Sequence, residues 1–132
     1  METKKQPGAS QTNAITIFFD GAGCRPDGEG SGYAWFCPDS NDRLVKRVPH
    51  LTNNQAEYQG FIAALQYVRE DAVVEICTDS ELIYAQFLGI YRAKDPALQA
   101  LLSEVHTLVL NKRLKVTLKW LPRGQNLAGK LL

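Results

Sequence analysis

Three acids in this chain stand in settings where an acid invites an explanation. Asp20 closes the apolar run ITIFFD (15–20), Asp79 follows the apolar VVEICT (73–78), and Glu57 lies one turn inside LTNNQAEYQGFIAALQYV. An acid at the end of a buried strand is costly unless it is paired or holds a cation. Taken singly, each has an ordinary use. Asp20 in DGAG can open a turn, Glu57 can be a solvated helix acid, and Asp79 can cap a helix. The last use is weakened because Thr78 and Glu81 form a T-x-x-E capping box that dispenses with Asp79. Asn53 and Asn54, four and three residues before Glu57, put two amides on its face of the helix. Taken together, the ordinary uses give way to a shared cation site.

The elements that must position these acids follow from periodicity. ITIFFD suits a buried central strand. GYAWFCP (32–38) and RLVKRV (43–48) read as two more strands joined through DSND. In the first long helix Thr52 is the N-cap and Gln55 stands three residues on. Its small residues Ala56, Gly60, Ala63 and Ala64 share one face and Phe61, Ile62, Leu65 and Val68 another, which predicts burial on two sides. VVEICT is a short buried strand, SELIYAQFLG a helix stopped by Gly89, and Asp95-Pro96 starts a third helix. KVTLKW (115–120) alternates as a strand with one basic face, and beyond Pro122 there is room for a short C-terminal helix. The fold class is therefore α/β, with residues 1–13 expected as a disordered tail and 14–132 as a single domain.

Composition narrows the function classes. The opening METKKQPGAS lacks the apolar stretch of a secretory signal, and no apolar run approaches the roughly 20 residues of a membrane span. Cys24, Cys37 and Cys77 fit neither a paired disulfide framework nor zinc spacing, and read as reduced thiols of a cytoplasmic protein. Net charge is only +1, but the last acid is Glu104. Lys112, Arg113, Lys115, Lys119, Arg123 and Lys130 follow with no acid between them. That asymmetry suggests a polyanion on one face.

The series ITIFFDGAG, GYAWF, TNNQAEYQGFIAAL, VEICTDSELI and VTLKWLPRGQN, in this order, resembles ribonuclease H of type 1 over residues 15 to about 128. The resemblance implies a ribonuclease H-like fold: a mixed five-stranded sheet with helices on both faces. It implies Mg²⁺- or Mn²⁺-dependent endonucleolytic cleavage of the RNA strand of RNA/DNA hybrids, leaving 5′-phosphate and 3′-hydroxyl ends. Two ions would be held with substrate by Asp20, Glu57 and Asp79, with Asp20 as the bridge. Asn53, Asn54 and the backbone from Gly21 to Gly23 would read the 2′-hydroxyl that distinguishes RNA. Thr52, Gln55 and Ser80 are lesser substrate candidates. The expected partner is the hybrid, and the protein a monomer.

Three departures accompany the resemblance. Ile90 to Asp95 leads straight into a helix, with no basic insert, so the compact layout is more like archaeal members and affinity is expected to rest on the C-terminal cations. The loop LPRGQN carries no histidine; His50 and His106 lie elsewhere and are assigned no catalytic part, and Arg123 is the nearest polar substitute. The fourth acid of the family is missing. One alignment puts Lys130 there and another Asn126. Asn126 is preferred, because a lysine would repel the ions; its carbonyl oxygen would ligate metal, or it would only cap the terminal turn. The rival to an active enzyme is a degenerate domain that binds hybrid or duplex with little cleavage.

Overall fold

The computed structural model describes residues 14–132, so the tail expected at 1–13 lies outside the described residues. Three antiparallel strands come first: β1 (Ile15–Ala22), β2 (Gly32–Cys37) and β3 (Asp42–Arg47). After α1 (Asn53–Tyr67), β4 (Val73–Thr78) returns parallel to β1. After α2 (Glu81–Phe87) and α3 (Pro96–Asn111), β5 (Lys115–Trp120) runs parallel to β4. The sheet order is β3-β2-β1-β4-β5. A mixed sheet with β1 at its centre is what the unbroken apolar run at ITIFF requires.

Local chemistry fixes the element ends. The β2–β3 turn is closed by Asn41 at φ 64°, a left-handed position that asparagine tolerates. The reciprocal Thr52–Gln55 capping box forms at the start of α1, and Asp95 caps α3 ahead of Pro96. The capping box expected from Thr78 and Glu81 does not form. Thr78 still belongs to β4, paired with Trp120, and its side chain is buried in the core. Its hydroxyl accepts from the Ser80 N–H at 3.0 Å, and Ser80 itself caps α2 through the Ile83 N–H at 3.1 Å.

The three helices pack on the sheet face that carries Ile17, Phe19 and Ile76. Phe19 stacks on Phe61 of α1 with centroids 4.8 Å apart. Phe61 in turn meets Phe87 at the end of α2. Helix α1 is buried on two sides as expected, from Ala56 to Tyr58 and from Gly60 to Leu65. Its approach to β1 depends on Gly60, where a Cβ would fall 2.8 Å from the Asp20 carbonyl oxygen. The opposite face receives the chain after Trp120, which folds into two 3-10 turns, Arg123–Gln125 and Leu127–Leu131. The second of these packs against β1 and β2 and helps bury Ala34 and Ala128 completely. Helical segments thus lie on both faces, three helices on one and a short C-terminal stub on the other. No helix among the described residues is long and apolar enough to cross a membrane.

Candidate active site

The site forms where two central strands part. Pairing between β1 and β4 ends at Phe18–Cys77, whereas β1 stays paired with β2 as far as Ala22–Gly32. Asp20 and Asp79 each lie two residues beyond the last β1–β4 pair. Asp20 is therefore not the end of its strand, as the sequence suggested, but lies two residues inside it. Helix α1 delivers Glu57 to the same gap by passing over Gly21, where a Cβ would stand 2.3 Å from the Glu57 nitrogen. The three carboxylates each offer an oxygen, and those oxygens lie within 4.8 Å of one another. Asp20 and Glu57 border a small cleft of about 350 Å³ that Gly21, Gly23, Asn53 and Arg123 also line, and Asp79 borders the adjoining cavity on the other side of Arg123.

Burial first, and neighbouring charge second, raise the pKa values of Asp20 and Glu57. Burial raises the Asp20 pKa to about 6, helped by the charge of Asp79 and opposed by the Gly21 N–H and by Arg123. Burial likewise raises Glu57 to about 7, with the charges of Asp20 and Asp79 adding to it and Arg123 and Ser80 opposing. Like charges gathered in a half-buried cleft disfavour their own ionisation. A cation placed among them removes that penalty, and an all-oxygen donor set suits a hard divalent ion. The residues present therefore fit a metal of the Mg²⁺ or Mn²⁺ kind.

Asn126 is buried beside this cluster, while Lys130 is exposed. Its amide donates to the Phe19 carbonyl at 2.9 Å and to the Asp79 carboxylate at 3.2 Å. Its carbonyl oxygen accepts from the Ala128 N–H at 3.1 Å. The amide thus spans the gap where β1 and β4 separate, replacing a missing ladder hydrogen bond and tying Asp79 to the central strand. The oxygen expected to face a metal is occupied in capping the second 3-10 turn.

The remaining expected residues divide. Asn53 joins the cleft: its amide donates to Glu57 at 3.4 Å, and its carbonyl accepts from the Gly23 N–H at 3.3 Å. Gln55 spends its side-chain oxygen on the Thr52 N–H, and the Ser80 hydroxyl caps α2. Asn54 is half-buried and does not line the cleft. Of the basic C-terminal set, Arg123 alone reaches the acids. Lys112 donates to the Leu65, Gln66 and Val68 carbonyls at the end of α1. Arg113 is held by Glu70 and Asp71, and Lys119 by Glu75. Lys112, Arg113 and Lys115 lie where β4 and β5 begin, roughly 20 Å of strand from Asp79. Two cations of a run without acids in the sequence, Arg113 and Lys119, thus meet acids in three dimensions. His106 stacks on Phe87, a packing role. One feature the sequence reading missed is Gly129, where a Cβ would stand 2.9 Å from an Asp20 carboxylate oxygen. A glycine inside the terminal helical stub was its only signal.

The family model for RNase H matches residues 12–128. Among curated proteins, Bifunctional protein Rv2228c of Mycobacterium tuberculosis is 32% identical over 81 residues, covering 60% of this chain. The chain spans only 22% of that relative. Among solved structures, RNase H1 from the archaeon Halobacterium salinarum superposes with a TM-score of 0.76 at 26% identity, over 90% of this chain and 93% of that one. LC11-RNase H1 in complex with RNA/DNA hybrid gives a TM-score of 0.71 at 28% identity, over 89% of this chain and 92% of that one.

Proposed function

The chain belongs to the RNase H family, and we propose that it hydrolyses the RNA strand of RNA/DNA hybrids in a metal-dependent reaction leaving 5′-phosphate and 3′-hydroxyl ends. The observation that carries this reading is the convergence of Asp20, Glu57 and Asp79, from three different elements, with ligand oxygens within 4.8 Å. The likeness to a structure determined with a bound hybrid supports the substrate class. Asp20, Glu57 and Asp79 would hold two ions, either Mg²⁺ or Mn²⁺, through their carboxylate oxygens. Bound there, divalent ions supply Lewis acidity toward the phosphate and an activated water.

The chain's own residues do the rest. Asn53 is the reader of the 2′-hydroxyl, since both its hydrogen bonds are long and open to exchange for a substrate group that donates and accepts. Gly21 and Gly23 admit the start of α1 against β1, which brings Asn53 and Glu57 to the cleft, and their backbone borders the space that would receive the sugar. Asn54, Gln55 and Ser80 act behind them, in the shape of the helix starts. Arg123 offsets the negative charge of the cleft and meets the substrate phosphate. Asn126 serves as a positioning residue: it aims Asp79 without adding charge. One chain completes the acid cluster, so a monomer suffices for the reaction, and the three free cysteines support a reducing, cytoplasmic setting.

The test is incubation with an end-labelled RNA/DNA hybrid in Mg²⁺, in Mn²⁺ and in EDTA, beside duplex RNA and duplex DNA. Cleavage of the hybrid's RNA strand alone, abolished by EDTA, with products that a ligase can rejoin, supports the reading. Tight hybrid binding without cleavage in either metal would instead mark a degenerate binding domain.

A further inference from the structure

Trp120 is 53% exposed at the end of β5, an uncommon place for the largest apolar side chain. It is also held in place. Its indole N–H donates to the Asp79 backbone carbonyl at 3.3 Å. Its ring leans on Tyr84 of α2 with centroids 6.3 Å apart. The exposed part of the ring borders a second cavity of about 610 Å³, lined by Asp79, Trp120, Leu121, Pro122 and Arg123. Arg123 lines both this cavity and the acid cleft. The two spaces are therefore neighbours that share an acid-proximal wall and a cation.

Resting on the reading of the chain as a hybrid-cleaving enzyme, we propose that Trp120 and Arg123 form a nucleotide subsite beside the acid cleft. It takes the nucleotide next to the one cleaved, with ribose packed on the indole and phosphate on the guanidinium. Three observations select this occupant. The cavity is the size of a nucleotide-scale ligand. A flat apolar ring beside a guanidinium matches a sugar–phosphate unit, whose one end is apolar and other end anionic. Asp79 lines the cavity and offers an oxygen within 4.8 Å of those of Asp20 and Glu57, so a strand whose phosphate lies at the acids passes the cavity at the next nucleotide. Ile90, also exposed, borders a cavity of about 610 Å³ with Arg92 in its wall, but none of the three acids lines that one.

The chain has two tryptophans, and Trp35 is buried, so fluorescence quenching by acrylamide reports Trp120. In EDTA, where the hybrid cannot be cut, a short hybrid should protect Trp120 from acrylamide at the concentrations where anisotropy shows binding. Trp120→Ala should raise KM for hybrid about tenfold, the scale of one stacked nucleotide contact, with kcat changing far less; Trp120→Phe should recover most of the loss. Melting temperatures of both variants separate a folding defect from a contact, and the protection experiment needs no variant at all. If the wild-type protein cleaves hybrid but acrylamide quenching is unchanged on binding, the subsite is overturned and the enzyme reading stands. If hybrid is neither bound nor cleaved, both fall.

Discussion

Two clusters of charge sit at opposite ends of the same sheet and are treated in opposite ways. Where β5 begins, Lys112 places its ammonium on three carbonyls at the end of α1, and Arg113 is gripped by two acids. Each cation there closes a seam between elements, and a helix end receives the donors it lacks. Where β1 and β4 part, Asp20, Glu57 and Asp79 face one another with Arg123 as the cation that offsets them. A charge with its partners built in holds the scaffold. Charges of one sign left crowded in a cleft store an affinity for a ligand of the other sign. The comparison separates residues whose loss costs stability from residues whose loss costs chemistry.

The largest expected effect comes from removing one crowded acid. Asp20→Asn should lower hydrolysis of hybrid at least about a thousandfold, on the order of 4 kcal/mol of barrier. Because the removed charge repels its neighbours, the metal-free variant should melt no lower than the parent, and its hybrid binding in EDTA should persist. A variant that keeps a tenth of the parent rate in purified form would remove Asp20 from the chemistry.

Asn126 lies on the boundary of the comparison, since it is fully paired yet touches the cluster. Restoring an acid there by Asn126→Asp should not improve the enzyme. A carboxylate has no proton to give the Phe19 carbonyl and stands against Asp79. An uncompensated buried charge costs about 3 to 5 kcal/mol, so the melting midpoint in EDTA should fall and the rate with it. Tighter Mg²⁺ binding together with a faster rate would show instead that the position accepts a fourth ligand.

Much of this division was legible in the sequence, and its failures have physical causes. Apolar runs ending in acids located Asp20 and Asp79, and helical spacing put Asn53 beside Glu57, because strand and helix periods are short-range properties. The capping of α2 was misplaced by two residues because tertiary pairing kept Thr78 in the sheet. The partners of Arg113 and Lys119 were not legible, because linear distance from acids says nothing about Glu70, Asp71 and Glu75 on the neighbouring segment. Asn126 was found as a position, but its orientation depends on a carbonyl freed by strand separation more than a hundred residues away, at Phe19.

At the other end of the sheet, Lys112→Met keeps the aliphatic stem and removes the ammonium. Charge-assisted hydrogen bonds to three helix-terminal carbonyls are lost, which should cost about 2 to 3 kcal/mol. The urea midpoint should drop while kcat and KM for hybrid at 25 °C stay at parental values. A change in the salt dependence of hybrid binding would show that this lysine meets the phosphate backbone after all.

The smallest effect is the pH dependence of the metal-free protein, and its sign distinguishes the two ends. Folded Asp20 and Glu57 titrate near 6 and 7, above their ordinary values of 3.8 and 4.5. Between about pH 4 and 7 the folded state therefore binds more protons than the unfolded chain, so stability falls as pH rises through that window and levels off above it. Partial exposure limits the combined change to about 2 kcal/mol. Asp71, whose hydrogen bond from Arg113 lowers its pKa, gives the opposite slope at lower pH. The contribution of the cluster is isolated by subtracting the Asp20→Asn/Glu57→Gln double variant, measured by urea unfolding in EDTA from pH 4.5 to 7.5. The parent should lose stability relative to the double variant as pH rises. Millimolar Mg²⁺ should erase that difference, since a cation favours the ionised acids. A difference that is flat in EDTA, or that rises with pH, would mean the acids are solvated and the cleft stores no affinity for a cation.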